Sequence, residues 1–367
     1  MYDVTSSYFE GLENELANFG YNRDKKAGKK QIVIGMLTDK DGHPIACEVF
    51  KGNTSDITTF ATLVKDFGKR FGVEKVTLVG DKGMIKTYGI NELHKEGFTY
   101  ITSITKAQIK TLLQNNIIQL GLFDEDLHEV NIDSVRYILR KNPVRASQIS
   151  ANRNSKIDKL LKLAEKESKY LNMHLKASSG KALNRVLAYA NKLRISNLVE
   201  LKISNTGIEA ILNEDNIKEA AMLDGCYVLK TDILAEDLDL NKIHERYKDL
   251  AKVEMGFRTI KTGLLEVRPI WLRKEKRTIG HVFVCMLAYM VSRKLAENKM
   301  PGETITDIIA ELNRVHLLNI VTQDESVEQL TIIAQPPVRA AQILANLNIK
   351  LQPPKKLPTK AKTKRGD

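Results

Sequence analysis

The stretch that decides the reading is residues 240–261, LNKIHERYKDLAKVEMGFRTIK. Within it Tyr247, Leu250, Glu254, Arg258 and Lys261 follow one another at steps of three, four, four and three. An α-helix turns once in about 3.6 residues, so these steps bring all five to one face. A glutamate that shares its face with a tyrosine, an arginine and a lysine is poorly explained by packing. It has the make-up of a carboxylate that holds a metal beside groups that hold a phosphate. Each residue also admits a plainer role. Glu254 is spaced to pair with Arg258 at i+4, a contact worth about 0.3–0.5 kcal/mol. Tyr247 suits a half-buried core position, and Lys261 suits the carbonyl end of a helix, where the macrodipole favours cations.

Two aspartates far upstream can complete such a site. Asp3 lies in a β-type run, Tyr2-Asp3-Val4-Thr5, and Asp81 ends a short apolar strand, Val76–Val79. Gly80 and Gly83 flank Asp81 closely, which lets the backbone turn sharply and a ligand approach. Taken singly, Asp3 reads equally as a strand-edge acid and Asp81 as a polar turn residue. Three carboxylates brought together from distant segments are hard oxygen ligands, suited to Mg²⁺ or Mn²⁺. Two such ions, roughly 3.5–4 Å apart, stabilise the attacking and leaving oxygens of an in-line phosphoryl displacement. That chemistry needs no nucleophile from the protein, in keeping with the lack of any Ser/His/Asp or Cys/His pattern. His43 and His281 stand alone without ligand spacing and read as structural. Trp271 after a proline reads as a core anchor, and Met255, Met286 and Met290 as core filler.

Charge supplies the partner. The 367 residues carry 57 Lys+Arg against 45 Asp+Glu, a formal net charge of +12. From Arg136 to Arg194 there are fifteen bases and three acids, and the last fifteen residues hold six bases and one acid. The rest of the chain is therefore slightly acidic. A basic block inside a near-neutral protein is the footprint of a polyanion, although a lysine-rich solvated helix face has the same composition. Together with the carboxylates it points to nucleic acid. Cys47, Cys226 and Cys285 are too scattered for a zinc site or a disulfide framework, which favours a reducing, cytoplasmic setting. The longest apolar run, Val282–Val291, falls short of the ~20 residues that span a bilayer, so no membrane is expected as a partner.

The order of elements is α/β. Residues 1–105 read as a three-strand meander with a turn at Asp39–Gly42, then helix 57–71, strand, helix and strand. Residues 106–235 break that rhythm and read as a mainly helical insertion. Its long helix, Pro143–Tyr170, has a narrow apolar line at Ile157, Leu160, Leu161, Ala164 and Leu171, with lysines on its other faces. Residues 236–300 return to helix, with one helix over 240–261 and another from about Arg277 to Leu295. Residues 301–352 hold one further helix and extended segments, and 353–367 read as a basic disordered tail.

These motifs resemble a known family. Tyr247, Glu254 and Lys261 match the Tyr–2–Arg–3–Glu–6–Lys signature of bacterial insertion-sequence DDE transposases of the insertion-sequence-four type, with Leu250 in the arginine's place. Gly80-Asp81-Lys82-Gly83, Gly52-Asn53 with Asp56, Arg268-Pro269 and Gly280-His281 resemble the family's other elements over residues 1–295. The resemblance implies a ribonuclease-H-like mixed sheet flanked by helices, with the large basic insertion preceding the glutamate helix. It implies catalytic, metal-binding Asp3, Asp81 and Glu254, phosphate contacts from Tyr247 and Lys261, and Mg²⁺ or Mn²⁺ as cofactor. Arg258 is a candidate to compensate for the missing arginine. Double-stranded DNA, at element ends and at a target, is the implied partner, with a homodimer as the DNA-bound assembly. Asp3 follows Met1 so closely that a truncated or split reading frame is expected. Two other functions fit the same residues: an inactive remnant that only binds DNA, and a two-metal nuclease without strand transfer.

Overall fold

In the computed structural model, residues 1–11, 13–60, 62, 76–85, 87–174, 176–205, 207–263, 265–320 and 330–352 are described. The chain divides into two compact units, Met1–Val4 with Thr54–Val253 and Thr5–Asn53 with Glu254–Asp367. The division falls inside the first strand and inside the helix that carries Glu254.

β1 (Tyr2–Tyr8), which the division cuts after Val4, β2 (Gln31–Thr38) and β3 (Pro44–Lys51) form a sheet in chain order, as the meander requires. β2 and β3 are antiparallel, with Ile34 opposite Val49 and Met36 opposite Cys47. The Asp39–Gly42 turn joins them, and the Gly42 amide donates to the Asp39 carbonyl at 3.2 Å. All eight residues of β2 are buried, the mark of a central strand covered on both faces. Phe257 and Ile260, with Val282 and Met286, face Ile34 and Met36 across a void of only about 10 Å³. Each such side chain, fully buried, contributes about 1.5–3 kcal/mol. Gly52 is fixed by close approach: a Cβ there would lie 1.9 Å from the Gln31 carbonyl oxygen.

The helix Glu275–Ala296 packs its buried face, which includes Val282, Met286 and Tyr289, on β3. By length and composition it is apolar enough to cross a membrane, although no unbroken apolar run in it is long enough. The expectation from sequence rested on continuity, and polar residues interrupt the run without lowering its average much. About a third of its most apolar window is buried in the protein. Two helices, Ile305–Leu312 and Val338–Asn346, join its end in a small core of Leu295, Ile308 and Ile343. Between them in chain order, β11 (Leu317–Ile320) pairs antiparallel with β12 (Leu330–Ile333). The 301–352 segment thus holds two helices where one was expected.

The first unit is built on a five-stranded mixed sheet in the order β4-β5-β10-β7-β6. β4 (Thr77–Gly80) and β5 (Thr99–Ser103) are parallel, with Gly80 beside Thr102, and the helix Thr87–Lys95 connects them. β6 (His128–Ile132), β7 (Val135–Lys141) and β10 (Cys226–Thr231) add antiparallel ladders. Residues 106–235, read as an insertion, therefore supply three of the sheet's strands. The basic part lies between β7 and β10. Asn142 caps the helix Pro143–Met173 by accepting from the Arg145 amide at 2.9 Å, and Pro143 opens its first turn. Ile157, Leu160 and Ala164 are buried against Ala182, Val186 and Ala190 of the helix Ser179–Leu193. β8 (Val199–Ser204) and β9 (Gly207–Leu212) form a hairpin beside them. The helix expected over 57–71 is seen only at its start, Asp56–Phe60; most of the rest, like the 353–367 tail, lies outside the described residues.

The stretch 240–261 forms two helices, Leu240–Lys248 and Leu250–Lys261, rather than one. Asp249 between them keeps right-handed helical angles (φ −62°, ψ −14°). Three of the core assignments differ from expectation. Trp271 is 66% exposed, Met255 is 55% exposed and Met290 is exposed, while Met286 is buried. Apolar character alone cannot place a residue on the inward side of a loop or helix. The three cysteines are free.

Candidate active site

Asp81 leaves the end of β4 and turns at once. Its Oδ1 accepts from the Gly83 amide at 2.8 Å and the Met84 amide at 3.1 Å. The other carboxylate oxygen makes no hydrogen bond among the described residues, and the side chain is exposed. A Cβ at Gly83 would sit 3.1 Å from Oδ1 and 3.6 Å from Oδ2. Glycine there keeps one side of the carboxylate clear. The Asp81 carbonyl accepts from the Thr102 hydroxyl at 3.2 Å, which ties this turn to β5.

Asp3, half-buried on β1, accepts from the Val4 amide at 2.7 Å. Tyr247, at the end of the helix Leu240–Lys248, donates its hydroxyl to Ser103 Oγ at 2.7 Å. Asp81 and Tyr247 therefore meet adjacent residues of one strand, Thr102 and Ser103. Asp3, Asp81 and Tyr247 belong to the first unit; Glu254, Arg258 and Lys261 belong to the second.

The helical stripe does not have one environment. Leu250 is buried, while Glu254 and Arg258 are exposed. Glu254 and Arg258 make no ion pair among the described residues, so the plain i+4 pairing is not what holds them. Lys261 is different. Its Nζ lies 2.7 Å from Asp24 Oδ1, and Arg268 reaches the same oxygen at 2.5 Å. Asp24, only 2% exposed, also accepts from the Tyr8 amide at 3.1 Å. Burial pulls the Lys261 ammonium below its usual pKa, against the opposing pull of Asp24. Asp24 was not singled out in the sequence. It sits in a polar stretch, and its partners are 237 and 244 residues away, so no local spacing marks it.

A second acidic group lies on the β2–β3 turn, where ligand atoms of Asp39, Asp41 and His43 approach within 4.8 Å of one another. The turn itself accounts for much of it. Asp39 Oδ1 accepts from the Asp41 and His43 amides at 2.9 and 2.8 Å. Burial pushes the Asp39 carboxyl up, but these hydrogen bonds outweigh it and hold the carboxyl below its ordinary value. His281 Nε2 lies 3.2 Å from the Val267 carbonyl, a structural contact as expected.

The basic block is largely free to meet a ligand. Arg136 and Arg153 are committed to Glu129 and Asp224, and Lys169 and Arg185 to Glu165 and Glu167. Lys159, Lys162, Lys166, Lys181 and Lys192 are exposed and have no ion-pair partner among the described residues. The first three fall at steps of three and four on one helix face.

The model of a family described as the transposase DDE domain matches residues 3–291. No curated protein matches the chain. Among solved structures it is similar to a piggyBac transposase synaptic complex with hairpin DNA, at 8% identity and a TM-score of 0.41. That similarity covers 79% of this chain and 46% of the other, so the chain spans a little under half the length of that relative. With a family match over most of its length, the chain belongs to the transposase DDE-domain family.

Proposed function

We propose that this protein is the catalytic part of a transposase that cuts DNA strands at element ends and joins them to a target. In this reading it is a bacterial insertion-sequence enzyme of the insertion-sequence-four type, with a ribonuclease-H-like core, acting in the cytoplasm on double-stranded DNA. The observation that carries the reading is the extent of the family match, which opens on Asp3 and takes in Asp81 and Glu254. The mixed sheet and the Asp81 turn support it. The Asp81 carboxylate is exposed, uses one oxygen to build its own turn and leaves the other oxygen without a hydrogen-bond partner among the described residues, beside a glycine whose missing side chain keeps space open. An all-carboxylate donor set of Asp3, Asp81 and Glu254 fits Mg²⁺ or Mn²⁺. A divalent ion held there supplies Lewis acidity to the reacting phosphate. The chain's own part is to hold the carboxylates rigidly and to bind the phosphate backbone through its lysines. A homodimer on DNA belongs to the same proposal.

Two observations favour a second reading, a DNA-binding remnant without activity. Leu250, in the family's arginine position, is buried and apolar, and Lys261 is engaged with Asp24. The test is nicking of a supercoiled plasmid by the full chain with Mg²⁺. Loss of several kcal/mol of charge stabilisation in Asp81→Ala predicts a rate lower by about 100-fold or more. If DNA is bound but not nicked, and Asp81→Ala behaves like the parent, the remnant reading replaces the enzyme. Joining of a cut 3′ end to target DNA separates a transposase from a nuclease.

A further inference from the structure

The walls of Asp81's own turn lead to a second feature. Thr102, which bonds the Asp81 carbonyl, and Ser103, which receives the Tyr247 hydroxyl, both line a cavity of about 290 Å³ in the first unit. Lys82, Lys230, Thr105 and Gln108 line it as well. The cavity is therefore lined by polar groups and two lysines, with no carboxylate among its lining residues.

Lys230 is the telling member. It lies on β10, half-buried, with its Nζ 6.0 Å from the centre of the Tyr100 ring. Its ammonium has no hydrogen bond or ion pair among the described residues. Burial draws its pKa down, and Asp232 opposes that only in part. Asp232 is already used: its Oδ1 accepts from the Tyr100 amide at 2.9 Å, and its Oδ2 lies 2.9 Å from His94 Nε2. The Lys230 charge is thus met only by the Tyr100 ring face and by a carboxylate already bonded elsewhere, which leaves it able to take an anionic ligand. Lys82 follows Asp81 directly and is exposed. Thus two lysines line a polar hollow whose walls are bonded to two of the sequence-predicted site residues.

We propose that this cavity is a phosphodiester subsite in which Lys82 and Lys230 hold a backbone phosphate of the DNA strand presented to Asp81. The proposal rests on the transposase reading for the identity of the strand, but not for the binding itself. Lys82 and Lys230 are positioning residues: they fix the strand, and the carboxylates act on it. Lys82 is the exposed member of the pair and Lys230 the half-buried one.

The test uses the full chain and a short blunt DNA duplex without divalent metal. Acetylation of lysines by a water-soluble succinimidyl ester, read by peptide mass spectrometry, reports each residue in the parent protein. DNA is expected to slow labelling of both Lys82 and Lys230 several-fold, while Lys202 on the β8–β9 hairpin, already paired with Glu200, labels at an unchanged rate. In parallel, the Lys82→Met/Lys230→Met double variant should lower the log–log salt slope of DNA binding by about 0.9, the value for one phosphate that the protein no longer neutralises. Equal labelling with and without DNA, or an unchanged slope in a variant whose circular dichroism matches the parent, overturns the subsite. Plasmid nicking separates the two readings. Nicking that depends on Asp81 but not on Lys82 and Lys230 sinks the subsite alone. Protection without any nicking leaves the subsite standing and removes the enzyme.

Discussion

Asp24→Asn is expected to destabilise the second unit by about 3 kcal/mol. The carboxylate is almost fully buried and balances two cations, Lys261 at 2.7 Å and Arg268 at 2.5 Å, while also accepting from the Tyr8 amide. Asparagine keeps the shape and can keep one hydrogen bond, but it removes the charge. Breaking a buried pair by removing one partner typically costs about 3–5 kcal/mol, because the remaining charge is stranded. The Lys261 side chain is 10% exposed and bears most of this; Arg268, at 26%, regains some hydration. The lower end of the range is therefore the expected figure. Urea unfolding of the full chain, followed by circular dichroism, reads the loss. With a slope near 3 kcal/mol/M, the midpoint should fall by about 1 M. Lys261→Met leaves Arg268 to balance Asp24 and should cost less. The double variant should recover part of the Asp24→Asn loss. A midpoint shift below about 0.3 M for Asp24→Asn refutes the reasoning, because it means that the pair is solvated and Lys261 is free for a phosphate.

Two further outcomes are expected. His244 is buried, its Nε2 lying 2.6 Å from the Tyr227 hydroxyl and 3.3 Å from Arg140, whose guanidinium can only donate. Burial, then the charges of Arg140 and Lys248, pull its pKa down to about 4. The folded state thus favours the neutral ring, and its contribution is complete above the unfolded value near 6.5 and lost as pH falls from there through 4. At most about 3 kcal/mol is at stake. His244→Gln should flatten the fall in stability between pH 7 and 4, and a ring titration midpoint near 6.5 by NMR would contradict the burial argument. For the basic helix, three phosphate contacts by Lys159, Lys162 and Lys166 predict a log–log salt slope near −2.7 for DNA binding, a loss of about 40-fold in affinity between 50 and 200 mM. A flat response in a salt titration assigns these lysines to solvent instead.

What the sequence made legible was what depends on local period. The 3.6-residue line Ile157, Leu160 and Ala164 became the buried side of its helix, and the Asp39–Gly42 turn closed its hairpin as read. Asp81 stands where the end of an apolar strand placed it. What stayed hidden depends on the rest of the chain. At Asp249 the dihedrals remain helical, so no residue type announces the break between two helices. β6 carries His128, Glu129 and Asn131 and lacks a clear alternation, yet its ladder with β7 makes it a strand. Lys261 had the spacing of a phosphate holder, and only the fold brings Asp24 against it. Lys82 and Lys230 are separated by most of the first unit, so the cavity they share has no sequence signature.

The second unit is discontinuous: 5–53 and 254–367 fold together although about 200 residues separate them. At a ribosomal pace of about 5–20 residues per second, the meander emerges roughly 10–40 s before the helices that cover it are made. During that interval β2, whose eight residues all end up buried, has its apolar faces uncovered and open to other nascent chains. Production of this protein should therefore respond to slower translation and to holdase chaperones, and a yield problem in a heterologous host should trace to the first 53 residues rather than to the basic helices.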